Sequence, residues 1–217
     1  MSSPPVSFRL PNSTRTLSGL PLVALLSGLL SGLLSGLLVA PPALAADRDQ
    51  PLAVGDKAPD FELPIQGQNA YVTLSQLNEQ GPVVVVVLRG YPGYQCTICK
   101  RQVGSIINRA KALSAALGGK PNRVVLVYPG NESNAELDRL AKQFIGGRRI
   151  PDPLVMVRDP GMEMVQSWGL RWDVPRETAY PAAYVIGAGR RVEWAKVSDS
   201  HAGRASVEDI LKAVKNL

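Results

Sequence analysis

Residues 82–88 read PVVVVVL, five consecutive valines closed by a leucine. A strand that alternates apolar and polar residues keeps one face in water; this one has no polar face to offer. An unbroken β-branched run must be covered on both sides, which places it at the centre of a sheet between two other layers. Two further runs share its character, RVVLVYP at 123–129 and PLVMVRD at 153–159. Between them the apolar spacing changes to helical. Ile98, Val103, Ile106, Ile107, Ala110, Leu113 and Leu117 fall near i, i+3 and i+4, and GGKPN at 118–122 stops that helix. Residues 131–147, NESNAELDRLAKQFIGG, give a second helix, with Asn131 or Ser133 as its cap and Gly-Gly as its stop. A short helix is expected over 161–170, a hairpin over 182–197 turning at GAG, and a closing amphipathic helix over 205–217 with a capping box from Ser206 to Asp209. The short run YVTLSQL at 71–77 begins as strand and turns helical. The order β-α-β-α-β-α-β-β-α predicts a three-layer α/β fold. Its central sheet is mixed, with an antiparallel hairpin at the C-terminal edge.

The first of these strands runs into the loop YPGYQCTICK, residues 91–100, which holds both cysteines of the chain. The C-x-x-C therefore lies where a central strand ends and a helix begins, the end of an open α/β sheet that binds ligands. A helix amino terminus presents free N–H groups and partial positive charge, and both favour a thiolate, the reactive form of cysteine. Two intervening residues in a first helical turn let Cys96 and Cys99 close a disulfide with each other. So short a loop constrains the unfolded chain little, which argues against a purely stabilising bridge.

The amino-terminal segment reads as a secretory leader. Arg9 and Arg15 are followed by an uncharged stretch from Thr16 to Ala46, ending in small residues; cleavage is expected after Ala45. SGLL occurs three times in succession, placing Gly28, Gly32 and Gly36 four apart. If retained, the segment is long enough to span a bilayer, and that spacing allows close helix approach. Residues 46–60 read as a polar linker and domain entrance, and 61–217 as one domain. Export predicts an extracytoplasmic, oxidising compartment, a periplasm or another lumen, in which a cysteine pair tends to be oxidised. The net charge of +6 is spread along the chain with no basic stripe interleaved with aromatics, so nucleic-acid binding is not expected. Two cysteines and one histidine cannot supply a four-ligand zinc site of thiols and imidazoles. No cofactor or metal is expected.

A strand followed by a helix-opening C-x-x-C, with a proline before a later hairpin, resembles the thioredoxin fold. VGDKAPDFELP (54–64), VTLSQL and VVVVVLRGYPG resemble more specifically the AhpC/TSA, or peroxiredoxin-like redoxin, branch, over roughly residues 52–217. The resemblance implies a cis-proline facing the dithiol, matched here by Pro181, which would shape a substrate groove. It also implies an antioxidant oxidoreductase. Peroxiredoxins carry P-x-x-x-[TS]-x-x-C, whose last cysteine attacks peroxide. Here the frame reads Pro92-x-x-x-Cys96-x-x-Cys99, with Cys96 in the Thr/Ser position. Peroxiredoxins also carry an arginine on a later strand; the matching region near 180–182 reads Tyr-Pro-Ala, with Arg176 nearby in sequence.

Three readings follow. In the first, a thiol–disulfide oxidoreductase, Cys96 attacks a substrate disulfide and Cys99 resolves the mixed disulfide. In the second, a peroxide reductase, Cys99 becomes the sulfenic acid and Cys96 condenses with it. Either needs a reducing thiol partner; a membrane enters only if the leader is retained. The third is a copper-binding chaperone, in which the two cysteines would be joined by the distant His201.

Overall fold

The computed structural model describes residues 47–217. The expected leader, 1–45, and its SGLL repeats lie outside the described residues. No helix among the described residues is long and apolar enough to cross a membrane.

The valine run is β3 (Val83–Val87) and sits in the middle of a five-stranded sheet. That sheet also holds β4 (Val124–Gly130), β5 (Leu154–Pro160), β6 (Ala182–Ile186) and β7 (Val192–Val197). The order is β5-β4-β3-β6-β7. β3, β4 and β5 are parallel; β6 runs antiparallel to β3, and β7 antiparallel to β6. The sheet is mixed because the hairpin brings β6 back beside β3.

Every residue of β3 is fully buried, and its two faces serve two cores. Val84 and Val86 pack with residues of α2 (Thr97–Asn108), α3 (Ala110–Ala116), α4 (Asn134–Ile145) and α6 (Val207–Lys215). Val83, Val85 and Val87 pack with residues of α1 (Leu74–Glu79), α5 (Glu163–Ser167) and the small hairpin of β1 (Glu62–Pro64) and β2 (Tyr71–Thr73). Each valine side chain moved out of water contributes roughly 1.5–3 kcal/mol, so the run both requires and stabilises the three layers.

Helix ends follow local chemistry. Ser133 caps α4 by accepting the Glu136 N–H, and Gly146 ends it in the left-handed region at φ 61°. Ser206 and Asp209 complete the capping box of α6. The helix expected over 96–117 is instead two, α2 and α3, because Arg109 departs from helical geometry (φ −106°, ψ 12°).

Residues 47–60, expected as a linker and domain entrance, are held against the domain: Leu52 and Ala58 are buried, and the N–H groups of Gly55 and Ala58 donate to Val192 O and Arg190 O at 2.8 Å. Sparse apolar residues in a polar stretch suffice to pin it. Pro181 does not follow a cis peptide bond; among the described residues the one cis bond is Asp152–Pro153. Pro181 continues the extended run into β6, and its carbonyl accepts the Ser198 N–H at 2.9 Å, extending the β6–β7 ladder.

Candidate active site

Between the end of β3 and the start of α2 the chain must turn sharply beside β4. Gly90 makes this possible. Its φ is +73°, and a Cβ there would collide with the Pro129 carbonyl, which accepts the Tyr91 N–H at 3.0 Å. The turn delivers Cys96 to the N-cap of α2. The Cys96 sulfur takes the place of a capping oxygen and accepts the Cys99 N–H at 3.2 Å. Cys99 occupies the third helical position and is fully buried, while Cys96 keeps 4% of its surface. Both are free thiols.

The two sulfurs differ in acidity. Cys96 is brought down to about 5, chiefly by a hydrogen bond from the Cys99 side chain. Burial opposes that effect, while the Cys99 backbone N–H and the charges of Arg204 and Arg89 assist it. Cys99 is pushed up, first by its hydrogen bond to Cys96 and then by burial. The proton shared by the pair therefore favours Cys99, which makes Cys96 the more readily ionised sulfur.

Two arginines that the sequence reading did not single out stand beside this pair. Arg204, in the loop between β7 and α6, points Nη2 at Cys96 Sγ from 3.9 Å. Arg89, two residues beyond the end of β3, has its side chain 4% exposed and forms a two-pronged ion pair with Glu177. It also donates to Tyr94 Oη at 2.5 Å and to Arg176 O at 2.8 Å. Burial alone would lower the Arg89 pKa, but Glu177 and Tyr94 more than offset that and raise it. Glu177 is raised by burial, yet Arg89 and His201 hold it below the usual carboxylate range. A charged residue abutting an apolar strand run was the available signal for Arg89; nothing in SHAGRAS marks Arg204.

His201 is not gathered with the cysteines as the copper reading requires. Its Nε2 lies 2.9 Å from Glu177 Oε1, and its ring packs on Trp172, 5.3 Å between centroids. Among the described residues no three His, Cys, Asp or Glu side chains form a group able to hold a metal ion. Arg176 is exposed, and its guanidinium lies 5.7 Å from the Tyr94 ring centroid. Pro181 is buried at the start of β6. The structure thus brings Cys96 and Cys99 together, with Arg204 and Arg89 as their cations.

A family model described as Redoxin matches residues 53–212. The chain belongs to the Redoxin family. It is an oxidoreductase. No curated protein matches it significantly. Solved structures similar to it include the peroxidoxin BcpB from Mycobacterium tuberculosis, at 21% identity and TM-score 0.58, covering 76% of this chain and 97% of that one. The reduced 2-Cys peroxiredoxin of Plasmodium vivax is 20% identical at TM-score 0.56, covering 76% and 81%. Reduced Prx3 from Vibrio vulnificus is 15% identical at TM-score 0.57, covering 76% and 99%. At such identities the likeness is one of fold, and the thioredoxin-like three-layer architecture that the resemblance implied is the one found.

Proposed function

We propose that this redoxin is a dithiol–disulfide oxidoreductase in which Cys96 attacks and Cys99 resolves. The observation that carries the reading is the inequality of the two sulfurs: Cys96 caps the helix, is lowered to about 5 and keeps some exposure, whereas Cys99 is fully buried and raised. The Cys96 thiolate attacks a substrate disulfide. A new S–S bond forms at Cys96, the substrate S–S bond breaks, and the released sulfur leaves as a thiolate. Cys96 is then neutral, so the largest influence raising Cys99 disappears. Burial still opposes its ionisation, while Arg204 and the Arg89 backbone N–H favour it. Cys99 loses its proton to solvent and attacks the Cys96 sulfur, forming the Cys96–Cys99 disulfide and expelling the second substrate thiolate. A reducing thiol partner restores the dithiol.

A second reading is peroxide reduction, favoured by the family and by the peroxiredoxin names of its structural neighbours. Cys96 would take the distal peroxide oxygen to give a sulfenic acid and an alcohol or water. Cys99 would then displace water to form the same disulfide. The reverse order, with Cys99 attacking first as the peroxiredoxin frame suggests, has the burial and raised pKa of Cys99 against it. Export remains part of the proposal on the strength of residues 1–45, and amino-terminal sequencing of the mature protein tests it: Ala46 as first residue is expected, Met1 refutes cleavage.

The deciding experiment compares Cys96→Ser and Cys99→Ser with a model disulfide and with hydrogen peroxide. Cys99→Ser should accumulate a mixed disulfide at Cys96, and Cys96→Ser should be inert to the disulfide. A Cys96→Ser protein that still forms a sulfenic acid at Cys99 at the wild-type rate would overturn the order of attack.

A further inference from the structure

We infer that the disulfide attacked here is carried on a peptide segment, with an apolar residue beside its cysteine and an acidic residue about two positions away, read by the cavity between α2 and the start of α6. The inference rests on the reading that Cys96 attacks first. The cavity holds about 260 Å³ and is open to solvent. Its apolar lining is Ile98, Ile106, Ala205 and Val207, of which the last three are buried and Ile98 half-buried. Its two walls are tied together, since Gln102 Nε2 on α2 donates to Ala205 O at 3.4 Å. Arg204 also lines it and lies 3.9 Å from Cys96 Sγ, so the cavity begins one side chain away from the reacting sulfur. Clefts for drug-sized ligands run from about 300 to 1,000 Å³. This one is smaller, and suits a single large side chain rather than a cofactor.

Charge around the cavity is unbalanced. Arg101 lines it, is exposed, and among the described residues has no carboxylate within salt-bridge distance. Glu208, the carboxylate on the same lining, is engaged by Arg109 at 3.7 Å. The rim therefore favours an anion on the arriving chain. Arg101 lies five residues beyond Cys96 along α2, about 7.5 Å of helical rise. An extended peptide covers that distance in about two residues. A substrate cysteine meeting Cys96 thus sets its neighbour's side chain against Ile98 and Ile106, and an acid two places on beside Arg101. A small disulfide or peroxide reaches the sulfur without touching either. The cavity accordingly supplies preference among substrates rather than reactivity.

The test uses the reduced full chain and three short peptides whose cysteine is carried as a 2-pyridyl disulfide: Glu-Leu-Cys-Leu-Glu, Glu-Gly-Cys-Gly-Glu and Lys-Leu-Cys-Leu-Lys. The palindromic order makes chain direction immaterial. Cys96 attacks the peptide sulfur and the peptide–pyridyl S–S bond breaks. The pyridinethiolate leaves with the electron pair and takes a proton from solvent, and the absorbance of the resulting thione gives the rate. The acidic leucine peptide should react about tenfold faster than its glycine counterpart. It should react about threefold faster than the lysine peptide at low salt, a gap that closes in about 1 M salt. Ser105→Trp, at an exposed position lining the cavity, should abolish the leucine preference, and Arg101→Glu should invert the acid preference. Ratios within one protein are independent of its overall thiol reactivity, and unfolding of both variants is measured in parallel. Equal rates for the leucine and glycine peptides in the wild type, or a preference for the lysine peptide, overturn the inference without any variant having to fold. A leucine preference unchanged in a folded Ser105→Trp protein overturns it as well. Cys96→Ser separates this failure from that of the reading beneath it. Loss of reaction in that variant leaves the order of attack intact whichever peptide the wild type prefers, whereas thione release at the wild-type rate overturns the order and the inference together.

Discussion

Replacing Glu177 by glutamine would strip the counter-charge from a buried arginine. Arg89 and Glu177 have side chains 4% and 9% exposed, so neither can recover full hydration if the other is lost. Removing one partner of such a pair costs roughly 3–5 kcal/mol, because the survivor stays buried and charged. The glutamine carbonyl still accepts one hydrogen bond, which puts the expected loss near the lower end, about 3 kcal/mol. For a domain of this size that corresponds to a fall of roughly 6–12 °C in melting temperature. The loss should depend on pH with a definite sign. The Glu177 carboxyl is held below its usual value in the fold, so its stabilising contribution is present above the unfolded value near 4.3 and fades as pH falls through the folded value. The gap between wild type and variant should therefore be full at pH 7 and shrink below about pH 4. Urea unfolding of both proteins at pH 7 and at pH 3.5 measures it. A difference within about 0.5 kcal/mol at pH 7, or a gap that widens in acid, refutes the reasoning. Because His201 is held by the same carboxylate, a double variant with Arg89→Met would show whether the loss comes from the stranded arginine: the pair together should cost less than Glu177→Gln alone.

Gly90→Ala should destabilise by about 3 kcal/mol or more, from the left-handed backbone and the collision with Pro129, and should shift the midpoint of chemical unfolding accordingly; a stable variant would mean the turn can reroute. Cys96→Thr restores the Thr-x-x-Cys frame and removes the neighbouring thiolate that chiefly raises Cys99. Cys99 should then alkylate at a lower pH than in the wild type, though still slowed by its burial; an unchanged pH dependence would show that burial alone sets its acidity.

The layered fold was legible because its strongest determinant is local. Five valines in succession have one solution, and the helices around them repeat at i, i+3 and i+4 with Ser133, Gly146 and the Ser206–Asp209 box marking ends. What escaped depends on partners distant in sequence. Leu52 and Ala58 look like stray apolar residues in a linker until β7 and the turn before it supply acceptors for the neighbouring N–H groups. The break at Arg109 carries no glycine or proline, so helical spacing runs through it unmarked. At the site, the cysteines announce themselves by spacing. Arg204 lies 108 positions from Cys96, Glu177 lies 88 from Arg89, and only the folded chain brings them within reach. Pro181 was placed by resemblance alone, and its peptide bond did not follow the expectation.

The order of attack turns on what atom caps α2. A threonine or serine at an N-cap accepts the N–H of the third helical residue through a hydroxyl, which stays protonated at any physiological pH. A cysteine in the same place accepts the same N–H through sulfur, and a thiol ionises some units lower than a hydroxyl. The capping interaction, the Cys99 side chain and two nearby guanidinium groups then all favour the anion on the cap itself. Once that anion exists, the residue three positions on is raised by its new neighbour and by burial. On the proposed order of attack, the sulfur in the Thr/Ser position of the frame ionises before Cys99. That order also leaves a second sulfur held back until the first has reacted, which is the sequence of events that a resolving thiol requires.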